Sequence, residues 1–307
     1  MKKKPLILIL IIAFALPLLV WELFITNLAK TTTQSLPDKP LGTVKKAMER
    51  PSHPLVFWDE NGFYKGVSQA EKETKKPNYK IAGGIIPHHL LPSFMIADFF
   101  NRLSAQEPNT IILLGPNHDE LGDFEVLTSL YGWQTPFGTV EPNDAIINSL
   151  INNNLAKVDE DVLAKETSVS AIVPFIKFYL PKAKVVPLIL SARMTQDETR
   201  TLANDLKNRL SNKTVIVAAV DFSHYLTSPL AKEKDELTWQ VMKNFDYRQL
   251  FTLNNDYLDN PPSIATLLMA MQKRGTTNFD LLYHTNSGEL LKDSSISTTS
   301  YFSIDFH

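Results

Sequence analysis

Residues 81–89 read IAGGIIPHH, residues 110–118 read TIILLGPNH and residues 214–224 read TVIVAAVDFSH. Each is a short apolar run without polar alternation, and each reaches a histidine within a few residues of its end. A strand that is apolar on both sides has both faces covered, which is the condition of parallel sheets flanked by helices. In open sheets of that kind ligands bind in the crevice beyond the carboxyl ends of the strands. His88, His89, His118 and His224, delivered to that rim by three separate strands, therefore converge on one site. They are four of the chain's seven histidines, a concentration that isolated loop histidines would not give. Imidazole is both a ligand for Fe, Cu and Zn and a proton carrier near neutral pH.

Outward from these runs, the chain alternates apolar segments with helical patterns. Strands are expected at 81–87, 110–115, 184–190 and 214–220, and helices at 93–103, 143–152, 169–179, 196–210, 231–244 and 263–273. The expected fold is α/β, with a mostly parallel central sheet and helices on both faces. Residues 279–285 and 297–305 read as two antiparallel strands added at a sheet edge. Pro87 and Pro116 cannot donate to a ladder and are expected to stop their strands just before the imidazoles. Asp221, in VDFSH, is placed to orient a neighbouring imidazole or to serve as an N-cap.

The chain of 307 residues, 44% hydrophobic and 21% charged, has ample material for one α/β domain. It contains no cysteine. That excludes disulfides, thiolate nucleophiles, iron–sulfur clusters and cysteine-based zinc sites, so a metal here must use histidine, carboxylate or water. Residues 1–30 open with three lysines followed by seventeen largely apolar residues, Pro5 to Trp21, and apolar character continues past Glu22 without an A-x-A cleavage site. We read residues 1–30 as an N-terminal signal-anchor, a transmembrane helix that places the domain outside the cytoplasm, the domain being secreted if the segment is cleaved. Residues 31–54, rich in Thr, Pro, Ser and Lys, read as a linker, and 55–307 as the folded domain. Removing the four lysines and one glutamate of residues 1–30 from the chain's 31 basic and 33 acidic side chains leaves 27 and 32, a balance that speaks against nucleic-acid binding. The chain has no G-x-G-x-x-G or Walker loop and no G-x-S-x-G elbow for Ser223 beside His224.

Seven segments together carry a resemblance: PHH at 87–89, GPNH at 115–118, WQTPFGTVEPN at 133–143, ETSVSAIVPF at 166–175, VVPLIL at 185–190, VDFSH at 220–224 and HTNSGELLKDSSIS at 284–297. In order and spacing they resemble the Memo family, also called AmmeMemoRadiSam system protein B, over about residues 75–305. That family is similar in fold to the class III extradiol ring-cleaving dioxygenases, whose non-haem iron sits on two histidines and a carboxylate. Memo-like proteins use two histidines and a cysteine. The resemblance implies that His88 and His118 are metal ligands and that His224 is the acid/base, with His89 an adjacent polar wall.

The family's cysteine precedes the helix that here contains SIATLLMAM, and the alignment places Asp259 of YLDNPP at that position. A carboxylate there completes a facial arrangement of His88, His118 and Asp259, favouring Fe(II) over Cu, Mn or Zn; otherwise Asp259 opens a turn before Pro261 and Pro262. Asp221 and Glu166 are the next candidates for that ligand. Two ionisable positions of the family's E-H-S-x-E segment are Thr167 and Ser170 here. Two functions stay open: a metal-dependent, dioxygenase-like oxidoreductase acting on a small molecule, and a binding or adaptor protein with a protein partner that keeps the fold; metal-dependent hydrolysis is a third. His284 is a candidate for the pocket edge, and Tyr131, Trp133 and Phe137 for stacking on an aromatic substrate.

Overall fold

The computed structural model describes residues 50–307. Its strands, in chain order, are β1 (Ser52–His53), β2 (Gly83–Ile86), β3 (Thr110–Pro116), β4 (Val126–Thr128), β5 (Gly132–Trp133), β6 (Lys157–Val158), β7 (Lys184–Leu190), β8 (Thr214–Ala219), β9 (Phe222–Leu226), β10 (Phe279–Asn286) and β11 (Thr298–Phe306). The runs that are apolar throughout form the centre. β2, β8, β3 and β7 lie side by side in that order, all parallel. Alternate residues along them feed two separate cores. Ile112, Leu114, Val186, Leu188 and Ile216 belong to one, and Ile111, Leu113, Val185, Ile189, Val215 and Val217 to the other. Full burial of each such side chain contributes roughly 1.5–3 kcal/mol, and only a sheet covered on both faces can bury both sets. Helices Gln196–Lys207 and Pro261–Arg274 supply apolar side chains to the first core, Ser93–Ser104 and Val173–Tyr179 to the second.

The sheet as a whole is mixed, not mostly parallel. β4 is antiparallel to β7 and carries β6 parallel to itself, while β11 is antiparallel to β2, β9 and β10. β11 is therefore an inner strand, and of the two C-terminal strands expected at an edge only β10 lies there. β2 ends just before Pro87 and β3 ends on Pro116, as expected, since at the last position of a strand the missing N–H takes nothing from the ladder. The helix expected at 169–179 is two, Thr167–Ser170 and Val173–Tyr179, because Pro174 lacks an N–H for the carbonyl of Ser170 and instead sits in the first turn of the second helix.

Ser52–His53, at the end of the expected linker, pair in parallel with Gly132–Trp133 and so belong to the folded unit. The expected signal-anchor, residues 1–30, lies outside the described residues. Among the described residues no helix is long and apolar enough to cross a membrane.

Candidate functional site

Because β8 lies between β2 and β3, the first residues beyond these strands share one rim of the sheet. His88 follows β2, Asp221 follows β8 and His118 follows β3. The rim is tightly drawn at Gly115, where a Cβ would collide with the Ser168 hydroxyl. The fourth member arrives from a helix start. Asn260 caps helix Pro261–Arg274 through its side chain, which accepts from the Ser263 N–H at 2.8 Å, and its amide donates to the Leu190 carbonyl at 2.8 Å. Pro261 and Pro262 fit the first turn, where no N–H is needed. Asp259, immediately before the cap, is thereby held over the rim. Its N–H donates to the Asp221 carbonyl at 3.1 Å, and its Oδ2 accepts from the Asp221 N–H at 3.2 Å.

His88, His118 and Asp259 each offer one ligand atom, and the three atoms lie within 4.8 Å of one another. The imidazoles meet edge to face, centroids 4.9 Å apart. Each has one nitrogen committed. His88 Nδ1 lies 3.2 Å from the Ala219 carbonyl, which can only accept, so Nδ1 carries a proton and Nε2 is the nitrogen turned to the site. His118 Nδ1 lies 2.7 Å from Glu166 Oε1, and Glu166 also accepts from the backbone N–H groups of His118 and Ser168. His88 Nε2 is 3.6 Å from both Asp221 Oδ2 and Asp259 Oδ2. This is how metal-binding histidines are prepared elsewhere: the far nitrogen donates to a fixed acceptor, which sets tautomer and ring angle.

The electrostatics of the cluster are dominated by burial and by the mutual charges of its carboxylates and imidazoles. Burial pushes the Asp259 carboxyl up to about 7; His88 and His118 resist that rise, and the neighbouring Asp221 adds to it. Its Oδ1 is buried with no hydrogen-bond partner among the described residues. Burial lowers the His118 imidazole, but its bond to Glu166 and the charges of Glu166, Asp259 and Asp221 outweigh this and leave it raised. The Glu166 carboxylate, despite burial, is held below its ordinary value by the same bond.

His224, on β9, lines the cavity beside these residues, together with His118 and Asp259; the cavity encloses about 410 Å³. Burial lowers its imidazole, Asp221 opposes that, and the neighbouring histidines add to it. Its Nδ1 is buried without a partner among the described residues.

Other expected participants sit elsewhere. His89 turns away to the Tyr301 hydroxyl, 2.6 Å from its Nδ1. His284 bonds Asp235 at 2.8 Å and stacks on Phe302, so it is not at the cavity edge. Trp133 and Tyr131 pack around His53, and Phe137 packs among Trp58, Phe63 and Phe178. Ser170 accepts from the N–H groups of Val56 and Phe57, tying down the first described segment. Asp221 caps no helix; its Oδ1 accepts from the His88 N–H at 3.1 Å. Sequence reasoning missed the wall formed by Phe251, Leu253, Asn254 and Asn255, which lies in a loop without periodic pattern. It also missed the role of Glu166 as the partner of His118, signalled only by its place before a helix.

A profile of the Memo-like protein family matches residues 65–304, a span that contains all four site residues. A MEMO1 family protein of Pyrobaculum aerophilum is 29% identical over 238 residues, covering 73% of this chain and 83% of the relative. One from Methanococcus maripaludis is 28% identical over 260 residues, 78% of this chain and 90% of the relative. One from Methanosarcina barkeri is 29% identical over 222 residues, 69% and 82% respectively.

Proposed function

The chain belongs to the Memo-like protein family, and from that membership and the geometry above we propose that it is a metal-dependent oxidoreductase of the dioxygenase-like kind. His88, His118 and Asp259 hold a divalent first-row ion, Fe(II) by preference, and His224 moves a proton. One observation carries the reading: a buried carboxylate oxygen without a partner stands beside two imidazoles whose other nitrogens are already committed. A buried carboxylate that merely opened a turn would have both oxygens satisfied or solvated. A cation among these three groups removes the penalty that burial places on ionised Asp259. The donor set, two nitrogens and one oxygen without sulfur, is harder than a thiolate site and suits Fe(II), Mn(II) or Zn(II) better than Cu(I).

Bound there, such an ion supplies Lewis acidity and open positions for substrate oxygen and O2. The chain's own residues do the rest. Glu166 and the Ala219 carbonyl fix the imidazole tautomers; Asp221 fixes the backbone on which His88 and Asp259 stand. His224, uncharged at neutral pH and with Nδ1 uncommitted, accepts a proton from a substrate in the cavity. We also propose, from the lysine triplet and the apolar run that follows it, that residues 1–30 anchor this domain outside the cytoplasm; fractionation decides it, and a soluble mature chain starting near residue 30 would overturn it.

The test of the reaction is elemental analysis of protein purified anaerobically, followed by O2 consumption with a panel of catechols. Roughly one divalent ion per chain with substrate-dependent O2 uptake is expected. Full metal content with no O2 uptake would leave a binding or hydrolytic protein, and absence of metal would favour the adaptor reading.

A further inference from the structure

The other two imidazoles of the site are held at their second nitrogen, and His224 is not. His88 Nδ1 rests against the Ala219 carbonyl and His118 Nδ1 against Glu166, whereas His224 Nδ1 is buried with no partner among the described residues. A group that moves a proton is ordinarily oriented by a further side chain. The aim of His224 into the cavity therefore falls to the strand that carries it.

That strand needs outside help. β9 pairs with β11 in a doubly irregular register: Phe222, His224 and Leu226 face three consecutive residues, Ser300, Thr299 and Thr298. Ser223 and Tyr225 are extra residues on the β9 side. Bulges re-aim side chains, and a ladder already shifted twice does not by itself decide which residue is the extra one. A slip of one position would carry His224 off the cavity. It would also disturb the wall, because the N–H groups of Ser223 and His224 donate to the carbonyls of Tyr257 and Asn255 at 2.9 and 3.0 Å. β9 thus carries the loop whose Asn254, Asn255 and Leu258 line the cavity.

Asp235 decides the register. It lies on helix Ser228–Lys243, 12 residues beyond Ser223, and is fully buried. The Ser223 hydroxyl, also fully buried, donates to its Oδ1 at 2.6 Å, the length of a hydroxyl bond to a carboxylate. Its Oδ2 accepts from His284 Nε2 at 2.8 Å, and His284 is itself stacked on Phe302 of β11. Without Asp235, the acceptor left to Ser223 among the described residues is the Ala231 carbonyl, at 3.4 Å. Ser223 is thereby the inward residue, and His224, next along the chain, faces the cavity. An apolar side chain would fill the place of Asp235 without the cost of burying a carboxyl. Fixing a register is the best-attested use of a buried polar group kept at such a cost.

We propose that Asp235 is a positioning residue for His224: by holding Ser223 inward it fixes the register of the bulged strand, and with it the direction of the imidazole. The inference rests on the reading of His224 as the group that moves a proton, and adds to it the residue through which the fold aims that group.

The test uses the full-length protein in mild detergent, with isotope-labelled histidine for NMR. The samples are wild type, Ser223→Ala, Asp235→Asn, Asp235→Leu and the double variant Ser223→Ala/Asp235→Leu, with His224→Ala to assign the His224 ring signals. Each is read for those signals, for melting temperature and metal content, and for kcat and KM of O2 uptake with catechol. Asp235→Leu should shift or split the His224 signals and lower kcat roughly 10- to 100-fold, the cost of a misplacement of about 1 Å, with KM and metal content unchanged. Ser223→Ala should act in the same way, and the double variant should be no worse than Asp235→Leu, because the two side chains work as one unit. Asp235→Asn keeps an oxygen for Ser223 and should restore the wild-type signals and most of kcat. A residue that merely stabilised the fold would lower the melting temperature and leave the ring signals and kcat of the folded protein as they are.

Unchanged His224 signals in Asp235→Leu and Ser223→Ala, losses that add in the double variant, or Asp235→Asn as damaging as Asp235→Leu would each overturn the proposal. Should Asp235→Leu not fold, Ser223→Ala, which removes a single hydroxyl, carries the same test. The ring signals are read whether or not the protein turns over, so the two readings fail separately. Shifted His224 signals in protein that takes up no O2 would sink the reaction and leave the positioning standing. Wild-type signals in an active Asp235→Leu would sink the positioning alone.

Discussion

Two histidine–carboxylate clusters are built from nearly the same parts and finished differently. At the amino-terminal edge, His53 Nε2 lies 2.9 Å from Glu160 Oε2 and 3.0 Å from Ser129 Oγ, and Ser129 Oγ donates to the same carboxylate oxygen at 2.5 Å. The other Glu160 oxygen accepts from the Leu130 N–H at 2.9 Å. No buried polar side-chain atom of these three residues is left without a partner. At the sheet rim, the ligand atoms of His88, His118 and Asp259 lie within 4.8 Å of one another, His88 Nε2 being 3.6 Å from Asp259 Oδ2 and so beyond hydrogen-bonding distance, and Asp259 Oδ1 and the neighbouring His224 Nδ1 are buried and unpartnered among the described residues. Leaving such a group unsatisfied costs about 1–3 kcal/mol, more for a charge, so the rim is kept unsatisfied at the expense of stability while the edge cluster is closed on itself. A closed cluster holds chain segments together. An open one offers uncommitted ligand atoms, which is what the proposed metal site requires.

The contrast is broken most directly by truncating one histidine on each side. His88→Ala or His118→Ala removes one of the three proposed protein ligands. Since changes even outside the ligand set cost metal affinity ~10–100-fold, these variants should be isolated without metal. His53→Ala should keep the wild-type metal content in the same elemental analysis. Metal lost equally from all three would mean that the distinction between open and closed clusters has no functional content. Next in size is His224→Ala. It should retain metal, while turnover falls by about 10²–10⁴-fold, the usual worth of positioned proton transfer. Metal loss equal to that of His88→Ala would make His224 a ligand.

The open cluster was the more legible of the two. His88 and His118 could be placed from sequence because the runs before them are apolar at every position, which happens only in strands covered on both faces, and such strands present their ends at one rim. Asp259 needed the family's alignment, since its own neighbourhood, YLDNPP, reads equally well as a turn. The closed cluster was invisible. His53, Ser129 and Glu160 are joined across 76 and 107 residues, and the strands that bring them together are two or three residues long, too short for any period to register. The same limit hid β4 and β6 and made the sheet look more parallel than it is. The position of β11 was illegible for another reason: antiparallel pairing to β2, β9 and β10 is a choice among distant partners that no local pattern encodes. β9 also bulges against β11, with Tyr225 at φ 61°, and nothing in the sequence warned of it, because the glycine that ordinarily marks a left-handed bulge residue is missing.

Smaller effects sharpen the comparison from the closed side. His53→Ala leaves a cavity and strips one partner from both Ser129 and Glu160, which should cost roughly 2–3 kcal/mol. In a domain of this size that lowers the melting temperature by about 4–12 °C, read by calorimetry.

The smallest expected effect is in the acid range. Burial raises the Glu160 carboxyl, but the bonds from His53, Ser129 and the Leu130 N–H outweigh it and hold the group below its ordinary value. A carboxylate whose pKa is depressed by folding contributes stability that is fully present above its unfolded pKa and is lost as pH falls through its folded one. Glu160→Gln removes that linkage. The variant should melt below wild type at pH 7, by the equivalent of about 1 kcal/mol after allowance for partial exposure of the group. The gap should narrow as pH falls from about 5 to about 3. Melting curves of the two proteins at matched ionic strength measure it directly. A gap that stays constant across that range would mean that the carboxylate's charge contributes nothing, and that the closed cluster is held by its hydrogen-bond geometry alone.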